Sequence, residues 1–317
     1  MLSVLLAVLE PFALIALGAM LRRTKRFSDK ALWDGLEKLV FWVLFPPLLF
    51  NSVAHARFAG ADTFSFLAAG VFAMGCGVFM AKGVSRLAPA DPMTDASVRQ
   101  TGYRFNSYIC FALALSMYGE ETLALTALLT GIWVPISNAI AVADLSVAAG
   151  KTDGKGRIDP LRVLKEVFTN PLIVATLAGL AANIASQLTD FRVPTFISTV
   201  FASLGSASSA TALLAIGAGI AVEEFSKYGK LITLSALQRL VALPAFALIV
   251  ALAAGLEDNA AAALMCYAMV PTANSCYIMA SRMGGNGPAV SDLTSVEVLA
   301  ALVTIPLWCI ALSRWVF

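Results

Sequence analysis

Ten apolar stretches, divided by short charged or Gly/Pro-rich breaks, constrain this chain more than any other feature. Each is near the length of about 20 residues that a helix needs to cross a bilayer. They are too long for strands, and lipid admits only helices or closed barrels, because every backbone polar group must be satisfied internally. The spans read as 1–21, 34–54, 63–86, 98–118, 122–145, 167–188, 194–222, 229–255, 260–281 and 290–316. Hydrophobic residues make up 59% of the chain and charged residues 13%, against roughly 25% charged in soluble domains. That balance argues against a soluble enzyme, a nucleic-acid binder and a disordered chain. The net charge of +2 implies no general attraction for anionic partners. A single histidine, His55, leaves no histidine-based metal or catalytic site. The five cysteines form no CxxC pair and read as small core residues, so no metal or cofactor is expected.

Charge sets the expected orientation. Sixteen basic residues fall in the connections after spans 1, 3, 5, 7 and 9, among them Arg22, Arg23, Lys25, Arg26, Lys151, Lys155 and Arg282. Only Arg57, Arg192 and Arg314 lie on the other side. Basic loops stay in the cytoplasm, which places both termini outside it, with the protein in the plasma (inner) membrane. The first basic cluster follows the first apolar run rather than preceding it, so that run is expected to be retained and not cleaved as a signal peptide.

The connection 150–165 divides the chain into a first set of five spans, 1–149, and a second, 166–317. An odd number of spans in each makes the halves run in opposite directions. Three sequence matches occur in the same order in both halves. Glu10-Pro11 with Gly18 matches Asn170-Pro171 with Gly179. Asn106-Ser107-Tyr108-Ile109 matches Asn274-Ser275-Cys276-Tyr277-Ile278, and Val134-Pro135-Ile136 matches Ile305-Pro306-Leu307. The expected fold is therefore an all-α integral membrane protein of ten helices in two inverted five-helix repeats, a transporter architecture.

Span 9 carries Val270-Pro271-Thr272-Ala273-Asn274-Ser275 near its middle. Pro271 has no N–H and clashes with the preceding turn, so the carbonyl of Tyr267 loses its helical partner. Thr272, Asn274 and Ser275 can supply replacement bonds and cap a new helix start. Arg104-Phe105-Asn106-Ser107 occupies the matching place in span 4, without a proline. Two half-helix N-termini meeting at mid-membrane would favour an anion. An arginine at helix centre costs about 2.5–3.5 kcal/mol on insertion scales, which makes Arg104 a candidate counter-charge or one member of a structural ion pair. The expected substrate site is Arg104, Asn106, Ser107, Pro271, Thr272, Asn274 and Ser275. Asn51, Asn138, Glu10 and Arg239 are secondary candidates. Glu10 and Glu297 are acids available to carry protons, and Glu297 also reads as a structural contact.

The run Phe45-Pro46-Pro47-Leu48-Leu49-Phe50, the segment Arg104–Ile109 with Tyr118-Gly119, Val134-Pro135 with Asn138, Asn170-Pro171-Leu172-Ile173, Leu214–Ala218, and Pro271 through Met279-Ala280 to Gly285 occur in this order over nearly the whole length. In that order they resemble bacterial permeases of the auxin efflux carrier family. The resemblance implies a scaffold around a mobile domain whose crossing helices are spans 4 and 9. It also implies transport of small organic anions: indole acids, or dicarboxylates such as malonate or malate. Plant members commonly carry prolines in both crossovers; this chain lacks the one in span 4. The fold so implied is also similar to that of the bile acid:sodium symporter family, whose glutamate-bearing crossover motif is absent here. The expected partners are a carboxylate substrate and membrane lipid, with H⁺ or Na⁺ as coupling ion and a homodimer left open. An intramembrane lipid enzyme is disfavoured, because there are no paired Asp motifs, no HExxH and no histidine base. A channel would not need inverted broken helices.

Overall fold

The computed structural model describes residues 2–56, 60–150, 168–189, 191–220, 225–256 and 258–315. All the regular structure among them is helical. In chain order the helices are α1 (Leu2–Arg22), α2 (Lys30–Leu39), α3 (Phe45–His55), α4 (Gly60–Leu87), α5 (Pro92–Arg99), α6 (Ser107–Leu113) and α7 (Glu120–Ala148). They continue with α8 (Pro171–Leu188), α9 (Thr195–Ala218), α10 (Phe225–Leu237), α11 (Leu243–Ala253), α12 (Asp258–Met269), α13 (Ser275–Arg282) and α14 (Gly287–Trp315). Single π-helical turns join α2 to α3 at Val40–Leu44 and α10 to α11 at Gln238–Ala242, and another extends α6 through Ala114–Tyr118. Seven of the resulting rods are long and apolar enough to cross a membrane: α2–α3, α4, α7, α8, α9, α10–α11 and α14. The chain is a multi-pass membrane protein. Expected spans 4 and 9 fall outside that set because each is in two pieces, and expected span 1 enters only as the shorter apolar helix Pro11–Arg22. The polar connection expected at 150–165 lies almost wholly outside the described residues.

The helix starts follow their caps. Asp29 accepts from the N–H of Ala31 at 2.9 Å, Asp91 from Thr94 at 3.0 Å and Asn170 from Leu172 at 3.0 Å. Pro92 and Pro171 occupy first helical positions, where a missing N–H costs nothing. Two of the π-turns end two residues before prolines, Pro46 and Pro244. Pro244 removes the partner of the Leu240 carbonyl, and the indole of Trp308 donates to that carbonyl at 2.8 Å.

α1 packs along α9, and α3 along α8 and α9. Both glycines singled out by the sequence lie in these contacts. A Cβ on Gly18 would overlap the carbonyl of Leu214 in α9, and one on Gly179 would press on the carbonyl of Phe50 in α3. The other helices gather around the two broken segments, with α12 against α4, α7 and α11, and α13 against α14.

Candidate functional site

Span 4 breaks at Tyr103–Asn106, between the single 3-10 turn Gln100–Gly102 and α6. Span 9 breaks at Val270–Asn274, between α12 and α13. The two breaks touch. The N–H of Asn106 donates to the carbonyl of Pro271 at 2.8 Å. Moving back along span 4, the Arg104 guanidinium donates to the Ser275 hydroxyl at 2.8 Å, and the Gln100 amide to the Cys276 carbonyl at 3.2 Å. Asn286 then pairs with Ser97 and Thr94, each at 3.0 Å. As numbers fall in one segment they rise in the other, so the two segments run antiparallel.

Every freed backbone group named so far finds a partner, as a low-dielectric interior demands. Arg239, fully buried, donates to the Tyr267 carbonyl at 3.1 Å, the one that Pro271 releases. Glu297, also fully buried, accepts from the N–H of Thr272 at 2.7 Å. The Trp133 indole donates to the Tyr103 carbonyl at 2.9 Å, and Gln238 donates to Gly102 at 3.1 Å. Asn106 caps α6, its side-chain oxygen accepting from Tyr108 at 3.1 Å and Ile109 at 3.2 Å. The half-helix N–H groups expected to hold an anion are thus partly used within the protein. Asn274 does not cap α13; its amide reaches Glu37 of α2 at 3.3 Å.

A cavity of about 380 Å³ opens beside the crossing. α13 presents one face to it: Ser275, Ile278, Met279, Arg282 and Met283, the i, i+3, i+4, i+7, i+8 pattern of a helix stripe. α7 contributes Thr130, Val134, Ser137 and Asn138, again a single face. Arg104, Phe105 and Ser107 come from the first break, and Asn170 and Leu172 from the start of α8. Among the described residues, no Asp or Glu lines it. Arg104 lies at the level of Ser275, and Arg282 about 10 Å further along α13, by helix rise from Ser275.

Arg104 is 5% exposed and bonds Gln100 (2.5 Å), Ser275 and the Met279 sulfur (3.7 Å). Among the described residues it has no carboxylate partner. A buried guanidinium is usually paired, because taking an ion out of water is costly. Among the described residues, Arg104 therefore offers the cavity a charge that no carboxylate offsets.

Of the residues expected in the site, Arg104, Ser107 and Ser275 line the cavity together, and so does Asn138. Asn106, Pro271 and Thr272 build the crossing behind it, and Asn274 faces Glu37. Arg239 lies beneath the second break. The side-chain oxygen of Asn51, in α3, is buried without a hydrogen-bond partner among the described residues, and Asn51 does not line this cavity. The side chain of Glu10 lies outside the described residues. Arg282 and Glu37 escaped the sequence reading. Arg282 follows Ser275 by seven residues, a signal that helix periodicity could have supplied. Nothing in the sequence brings Glu37 to Asn274.

Residues 160–309 match the family described as membrane transport protein, which is auxin efflux carrier-like. The match indicates a membrane transporter. It covers just under half of the chain, including both pieces of span 9, α8 and most of α14. No curated protein matches the chain.

Proposed function

We propose that this transporter moves small organic anions bearing a carboxylate, such as malonate or malate, across the plasma (inner) membrane by alternating access. The observation that carries the reading is Arg104, a buried guanidinium without an acidic partner among the described residues, facing a cavity with no acidic lining. Ser107, Ser275 and Asn138 supply neutral hydrogen bonds beside it. The apolar stretch formed by Val134, Leu172, Ile278 and Met279 suits the hydrocarbon part of a small acid.

Ten spans in two inverted halves, 1–149 and 166–317, fit the packing. Exchanging spans 1 and 2 for spans 6 and 7 turns the α1–α9 contact into the α8–α3 contact, both of which occur. The antiparallel bonding of the two broken segments fits the same relation. With both termini outside the cytoplasm, the Arg282 end of the cavity is its cytoplasmic end.

The test is counterflow. Purified protein in liposomes loaded with unlabelled malonate should accumulate external labelled malonate transiently. A panel including malate, succinate and an indole acid would then rank substrates. A channel gives no counterflow, and that outcome would overturn the carrier reading.

A further inference from the structure

Glu37 stands where an acid is least expected, beside an anion cavity. Its carboxylate accepts from the Asn274 amide at 3.3 Å. Asn274 lies between Ala273 and Ser275, both of which line the cavity. Phe41, four residues after Glu37 in the π-helical turn that follows α2, lines it too. Arg104 bonds Ser275 and Glu37 bonds the preceding residue, so a cation and an acid hold neighbouring positions of the second break. Glu37 is half-buried and makes no ion pair among the described residues. Among the described residues, the charged and titratable groups facing it are Lys30 and Asp34 on α2 and Tyr108 on α6; α9, which also packs on α2, carries none.

The geometry points to Glu37 as the proton-coupling group of this carrier, binding H⁺ as the anion binds. The inference rests on the carrier reading above. An ionised Glu37 repels an anion at Arg104, and a protonated one does not. By linkage, a bound anion must then favour the proton on Glu37 by the same factor that the proton favours the anion. The protonated acid keeps its carbonyl oxygen as acceptor for Asn274, so the contact between α2 and the break survives the change. One proton and one anion would cross together, reducing the net charge moved through a low-dielectric path.

The test uses purified full-length protein and malonate, with Kd measured from about pH 7 to about pH 9, well above ordinary carboxyl pKa values near ~4. Wild type should lose affinity as pH rises, by up to about tenfold per pH unit, the limit for one linked proton. Glu37→Gln keeps an acceptor for Asn274 and should bind with a flat pH profile. In liposomes it should retain counterflow but lose accumulation driven by a pH gradient. A flat profile in wild type with binding intact overturns the role of Glu37 and leaves the carrier standing. Equal slopes in wild type and Glu37→Gln also overturn it, because the proton then sits elsewhere. Failure to bind any carboxylate in the panel removes both readings together.

Discussion

The backbone N–H of Asn106 donates to the carbonyl of Pro271 across 2.8 Å, joining two helix interruptions 165 residues apart in sequence. That bond satisfies one orphan from each break at once. Neither break could persist alone in an apolar interior, where an unpaired backbone group costs several kcal/mol. The arrangement places Arg104 and Ser275 side by side, and with them the polar end of the cavity.

Arg104→Ala should weaken malonate binding by ten- to hundredfold, since a hydrogen bond to a charged group contributes about 1.5–3 kcal/mol. Arg104→Lys should recover part of the loss, because an ammonium lacks the planar fork. Ser275→Ala should cost about tenfold or less. The measurement is affinity on monodisperse mutants. Wild-type affinity in a folded Arg104→Ala protein would remove Arg104 from the site.

Arg282→Ala should act differently. Its side chain is exposed at the other end of the cavity. A charge in that setting guides an anion in more than it holds it, and salt screens it. Association should slow by a few-fold at low ionic strength, with the difference vanishing at high salt. Stopped-flow binding at two salt concentrations checks this; an effect that persists in high salt would mean direct contact with bound substrate.

Arg239→Ala should destabilise the protein by about 1–3 kcal/mol, the usual cost of leaving a buried polar group without its hydrogen-bond partner. It strips the Tyr267 carbonyl of its donor and removes the cation coupled to Glu297. Adding Glu297→Gln should restore part of the stability. Thermal unfolding of the single and double variants measures the coupling. Strictly additive losses would show that the two charges do not support each other.

Gly18→Leu should loosen the contact of α1 with α9, because a side chain there meets the Leu214 backbone, which cannot rotate away. Overpacking typically costs about 1–3 kcal/mol. Gly35→Leu, at a position where a Cβ meets nothing, is the control and should be nearly neutral. Melting temperatures of the two variants decide it.

Local pattern was enough to mark this chain as helical and membrane-spanning, because long apolar runs have few other solutions in lipid. It also located the break at Pro271, since a proline frees a known carbonyl wherever it falls in a helix, and it marked the glycines at positions 18 and 179. What receives each freed group was decided only in three dimensions. The Tyr267 carbonyl is met from Arg239, the Leu240 carbonyl from Trp308, and the proline-free break in span 4 is held open by Trp133, Gln238 and Pro271. These partners lie 28 to 165 residues away in the chain. The half-helix ends looked free for an anion when read in isolation, because spacing does not reveal that Asn106 and Glu297 already occupy their N–H groups. Only the crossing of the two segments set Arg104 against Ser275, with no acid beside it among the described residues, and brought Glu37 up to Asn274.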